Sequence, residues 1–200
     1  MYAEHVPKIN ATMRADVAGF KRGLYFVIAS IRQPVTLVPE QVELIERHGT
    51  GAPCVFGHKV DAIAYIETHA AELFAVVTRE KCPRAAILAL TAIPGLGVVK
   101  AAFVCQMLGF DVACLDTRNI KREGRNPRAF RSDGGKSKTG KAWLRKIDAY
   151  VSETEGKAAY YWDAWCEDVA RVYKMTAEEI SELHLAVCKP AQFTLEETFA

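Results

Sequence analysis

Residues 93 to 118, IPGLGVVKAAFVCQMLGFDVACLDTR, limit the possible folds more than any other stretch of the chain. Ile93-Pro94-Gly95-Leu96-Gly97 sets two glycines two apart between apolar segments of helical spacing, so the backbone can turn sharply there. A helix opened by Pro83 precedes the turn and an apolar helix follows it, which predicts a helical hairpin over about residues 84–108. Small Ala101 lets the two rods approach closely. The amides ahead of residue 98 form a helix N-terminus, where the dipole favours an anion. Two antiparallel core helices joined by a tight turn would give the same pattern with no ligand at all.

The rest of the chain repeats the helical period. Val17, Phe20, Leu24, Val27, Ile28 and Ile31 recur at three and four residues before Pro34. Pro39 opens a short helix stopped by Gly49, and Val60, Ile63, Ile66, Leu73, Phe74 and Val77 mark a longer one. Beyond residue 141 three more helices are expected up to about residue 190, the last opened by the capping box Thr176-x-x-Glu179. No alternating strand pattern appears. The expected fold is therefore all-α, one domain over residues 1–200, built as two small helical lobes around a cleft.

Charge is distributed unevenly. From Arg118 to Lys146 eleven Lys or Arg stand against two acids, Glu123 and Asp133, giving this window +9 in a chain whose net charge is +2. Residues 123 to 140 are rich in Gly, Ser, Asn and basic side chains and read as a long loop, the centre of a basic segment over about 118–146. Counterion release from a polyphosphate rewards such a segment, although a solvated loop has the same composition.

Asp116 closes the apolar run Val112-Ala113-Cys114-Leu115 and stands before Thr117-Arg118-Asn119-Ile120. A carboxylate there has two compatible uses. It can stabilise developing positive charge or take a proton in a dry cleft, and it can cap a short basic helix. Gln106 and Asn119 carry amides able to read a base edge, or simply to face solvent.

Other patterns exclude function classes. The N-terminal residues lack an apolar leader, and the stretch Ala85 to Val99 is too short to span a bilayer and contains Pro94, so neither secretion nor membrane insertion is expected. The six cysteines form no C-x-x-C pair and read as free thiols, and the five histidines show no metal-ligand spacing, so no metal is expected. Gly135-x-x-x-x-Gly140-Lys141 imitates a phosphate loop, but Ala142 replaces the Ser or Thr that would hold magnesium. Tyr160, Tyr161, Trp162 and Trp165 could stack on bases, yet Tyr161 and Trp165 at i and i+4 also suit a core.

On its hairpin and aspartate, the segment from about 88 to 122 resembles the helix-hairpin-helix superfamily of DNA glycosylases, the group that contains endonuclease III. The resemblance implies a hairpin that grips the backbone of double-stranded DNA through Gly95, Leu96 and Gly97, with Lys100, Arg118, Lys121, Arg122 and Arg125 supplying charge. It implies that Asp116 is the catalytic carboxylate, and that a flipped base sits beside it near Gln106 and Asn119. It also allows a monovalent cation at the hairpin. The lysine that attacks the sugar in bifunctional members falls on Val99 here, with Lys100 about 100 degrees further round the helix, so lyase chemistry is not expected. Cys166 and Cys188 have no close partners, so no iron–sulfur cluster is expected.

The texture of VKAAFVCQMLGFDVACLD is also similar to a phage branch of that superfamily, the alpha-glutamyl/putrescinyl-thymine pyrophosphorylase-like or amino acid:DNA transferases. The expectations are DNA repair or DNA modification at a flipped base, in the cytoplasm of a bacterial or phage-infected cell. The rival expectation is a DNA-binding or virion-associated protein that keeps only the grip.

Overall fold

Helix α2 (Val17–Ala29) is the centre of the protein, because ten consecutive positions from Phe20 hold nine buried residues and only Lys21 is left at the surface side. It appears in a computed structural model that describes residues 5–126, 130 and 140–188. Among those residues the regular elements are all helices, with no strand. Packed against α2 are α1 (Val6–Ala15), α3 (Val38–His48), α4 (His58–Arg79) and α6 (Val98–Met107). Each fully buried Phe, Leu or Ile in this core contributes about 1.5–3 kcal/mol.

Glycine sets the closest approach. A Cβ on Gly19 would lie 2.3 Å from the Thr12 carbonyl oxygen, and one on Gly23 would meet the Met13 side chain, so only hydrogen at both positions lets α1 lie on α2. Asp16 separates the two helices with an extended backbone and accepts from Gly19 N at 2.7 Å as the N-cap of α2. Helix α1 has no counterpart among the periodic segments read from the sequence. Its buried positions are only Ile9 and Met13, too few to outweigh the polar residues around them.

Three polar contacts lock the far side of α2. Arg22, only 4% exposed, donates to the Ala186 carbonyl at 2.8 Å and pairs with Glu46. Tyr25 donates to Glu67, which also takes Lys21 at 2.6 Å. Buried Lys59 donates to the Ala29 carbonyl at 3.1 Å, where the C-terminal end of α2 favours a cation.

The hairpin consists of α5 (Pro83–Leu90), the turn 91–97 and α6. The chain then runs without regular structure to α7 (Thr117–Arg122), and continues as α8 (Gly140–Thr154), α9 (Ala158–Tyr173) and α10 (Ala177–Leu185). Thr176 and Glu179 form the expected capping box at α10. The basic segment is thus no single loop, since its start is α7 and its end belongs to α8. Arg128, Arg131, Lys136 and Lys138, with Gly135 of the phosphate-loop imitation, lie outside the described residues. Among the described residues no helix is long and apolar enough to cross a membrane.

Candidate functional site

The segment between α6 and α7 has no strand beside it, so side chains must satisfy its backbone. Tyr150 of α8 places its hydroxyl between two groups, accepting from Leu115 N and donating to the Ala113 carbonyl, both at 2.8 Å. Gln106 accepts from Cys114 N at 3.0 Å and donates to the Ala158 carbonyl at 2.7 Å. Asn119 donates to the carbonyls of Cys114 at 2.8 Å and Tyr161 at 3.3 Å. Burial pushes the Tyr150 phenol well above its ordinary range and the Cys114 thiol up to about 12, so neither titrates near neutral pH.

These ties deliver Asp116 to the start of α7. Its Oδ1 accepts from Arg118 N at 3.0 Å and Asn119 N at 3.1 Å, which makes it the N-cap of that helix. Its Oδ2 accepts from the indole Nε1 of Trp165 at 3.0 Å. The half-buried carboxylate lines a pocket of about 120 Å³, several times the space one water molecule needs. Six of the residues lining it carry aromatic rings: Phe26, Phe103, Tyr161, Trp162, Trp165 and His184 with its imidazole. Lys100 enters from α6 and donates to Ser30 Oγ at 3.1 Å, with its ammonium 5.3 Å from the Phe103 ring centre. His184 is 2% exposed, and its pKa is lowered to about 3, first by burial and then by the charge of His5.

Of the residues expected to form the site, Lys100, Gln106, Asp116, Arg118 and Asn119 meet at this pocket. The amides of Gln106 and Asn119 are neither solvent-facing nor free, because both hold backbone. The cationic side chains of α7, and Arg125 just beyond it, are largely matched by acids. Arg118 pairs with Asp168 at 3.0 Å, Arg122 with Glu167 at 3.2 Å, and Arg125 with Glu153 at 2.5 Å and Glu123 at 3.5 Å. Lys121 is exposed, and no carboxylate of the described residues pairs with it.

The hairpin turn lies away from the pocket. Gly95 is exposed with φ +76°, Leu96 is fully buried and anchors the turn, and Gly97 is the N-cap of α6 with no side chain capping that end. His58, at the start of α4, stands beside Gly95, its Cδ2 3.2 Å from where a Cβ would sit. Neither His58 nor the aromatic walls other than Tyr161, Trp162 and Trp165 carried any signal in the sequence, since they come from distant helices. Tyr160, which precedes these three in α9, is 55% exposed and outside the pocket.

All six cysteines are free, and among the described residues no three His, Cys, Asp or Glu gather as metal ligands. No family model matches the chain, and neither a curated protein nor a solved structure does so.

Proposed function

We propose that the protein acts on a base extruded from double-stranded DNA, with Asp116 as the reacting carboxylate. The observation that carries this reading is one pocket that holds a carboxylate, an ammonium and a box of aromatic rings. Aromatic walls suit a flat heterocycle, and chemistry at a base or its sugar bond needs that base out of the stack. Oδ1 of Asp116 is committed to two amides of α7, so Oδ2, held by the single N–H of Trp165, is the oxygen that meets the reacting centre. There it opposes positive charge developing on the sugar, or takes the proton of an incoming water or amine. The exposed Gly95 turn and the uncapped amides of α6 provide the phosphate contact, and Lys121 adds charge.

A second reading, binding without chemistry, draws on the same carboxylate. Its three donors satisfy Asp116 as a structural cap needs, with no ligand required. Asp116→Asn separates the two, because asparagine is an equally good N-cap. Incubated with duplexes carrying damaged or modified bases, the variant is expected to keep DNA affinity and lose turnover. Equal turnover by both proteins would remove Asp116 from the chemistry, and retained duplex binding with no turnover by either supports binding alone.

A further inference from the structure

A second concavity, an open groove of about 470 Å³, lies between α3 and α10, with Arg22 of α2 in its lining. The groove adjoins the pocket of Asp116 but shares no lining residue with it. On α2, Arg22 lines the groove and Phe26, one turn on, lines the pocket, and on α10 the neighbours Leu183 and His184 divide in the same way.

Four carboxylates border the groove, Glu43 from α3 and Glu178, Glu179 and Glu182 from α10, and all four residues are exposed. Its one cation, Arg22, is already paired with Glu46. In a chain of net charge +2 this is a strongly negative concave face. Among the described residues neither Glu43 nor Glu178 takes part in a side-chain hydrogen bond or an ion pair. Glu178 and Glu182 also stand at i and i+4, where like charges on one helix face repel and cost stability. A cation seated between them would remove that cost.

Two observations restrict what covers such a surface. The carboxylates are spread over two helices, and among the described residues no three His, Cys, Asp or Glu gather as metal ligands, so the groove is not built for an ion. Between the carboxylates the lining is apolar, with half-buried Pro39 and Met175 beside Leu183 and Ala186. A bare polycation leaves those groups wet, whereas a polypeptide with apolar side chains between its basic ones covers both. Residues 189–200 of the chain itself carry two acids against one base, the wrong sign for this face.

We propose that the groove between α3 and α10 docks a basic, amphipathic helix of a partner protein, with Lys or Arg side chains on Glu43 and Glu178 and apolar side chains on Pro39 and Met175. This is helix-in-groove recognition, in which an apolar stripe at three- and four-residue spacing is flanked by cations. It stands apart from the reading of the pocket, because no lining residue is common to the two cavities.

The test uses the full chain and a fluorescent peptide with Leu at helical spacing and Lys elsewhere, with binding followed by anisotropy. A second peptide with Ser in place of each Leu keeps the charge and loses the stripe. The Leu peptide is expected to bind at least about tenfold more tightly than the Ser peptide, and to weaken as salt is raised. Glu43→Lys/Glu178→Lys reverses two exposed charges and is expected to weaken the Leu peptide at least about tenfold. No binding of the Leu peptide, equal binding of the two peptides, or an unaltered affinity in the variant overturns the proposal. Should the double variant fail to fold, the unaltered protein still decides through its methionine methyl resonances. The Met175 methyl is expected to shift with the Leu peptide while those of Met13 and Met107 in the core stay in place, and a stationary Met175 overturns the docking site. Salt-sensitive self-association that Glu43→Lys abolishes would make a second copy of the chain the occupant and overturn the foreign partner.

Discussion

The indole N–H of Trp165 donates to Oδ2 of Asp116 at 3.0 Å, so α9 holds the carboxylate that caps α7. Trp165→Phe removes that donor and keeps most of the ring. We expect a loss of about 1–2 kcal/mol, read from the denaturant midpoint, because the lost partner is a hydrogen bond to a charged group. Asp116→Ala should cost at least as much, since it removes the cap as well, whereas Asp116→Asn, which keeps the cap but turns an amide N–H toward the Trp165 indole, should cost less than Asp116→Ala. Equal stability of the Ala and Asn variants would show that the cap contributes nothing.

The salt dependence of DNA binding should separate neighbouring cations on α7. Lys121 is exposed without a described acidic partner, while Arg122 shares Glu167. Lys121→Ala is expected to reduce the slope of log affinity against log salt by about 0.9, the contribution of one phosphate contact. Arg122→Ala should reduce it by less. An unchanged slope in the Lys121 variant would place the duplex elsewhere on the surface.

Gln106 and Asn119 predict a structural phenotype. Gln106→Ala leaves Cys114 N without its partner, and Asn119→Ala does the same to the Cys114 carbonyl, while the Ala158 and Tyr161 carbonyls remain within the helical ladder of α9. Each substitution is expected to destabilise by on the order of 1–3 kcal/mol. Thermal unfolding checks this, and a variant as stable as the parent would mean that water replaces the amide.

His184 makes stability depend on pH. Its pKa falls from the ordinary 6.5 to about 3 on folding, so the unfolded chain binds the extra proton and acid favours unfolding. Stability is therefore whole above pH 6.5 and declines as pH drops toward 3, at a limiting slope of about 1.4 kcal/mol per pH unit. Carboxylates with lowered values, Glu67, Glu153 and Asp168, add their own losses from about pH 4.5 downward, so the interval from 6.5 to 4.5 isolates the histidine. His184→Phe should flatten urea midpoints across that interval, and a parent protein already flat there would contradict a buried neutral imidazole.

The helices were legible because their signals are local. Pro83, Gly97 and the Thr176–Glu179 box are punctuation within a few residues, and the apolar period of α2 and α4 survives any tertiary context. Asp116 was legible for the same reason, as a residue that both ends an apolar run and starts a helix. The pocket walls were not, because Phe26, Phe103 and His184 are brought together from α2, α6 and α10 by packing alone. Charge also misled in part. A run of cations in sequence says nothing about the acids of α9 that fold back on it, and Glu167 and Asp168 take up Arg122 and Arg118, two of the cations that the composition assigned to a polyanion.

The stretch leading to Asp116 is held by a hydroxyl and two carboxamides instead of by a neighbouring strand. Each fastening can release by itself, so the amide protons of Cys114 and Leu115 should exchange with solvent through small local openings, well before the surrounding helices come apart. The acid at the end of that stretch is thus mounted on a segment that can shift by a fraction of an ångström while the helical scaffold stays whole.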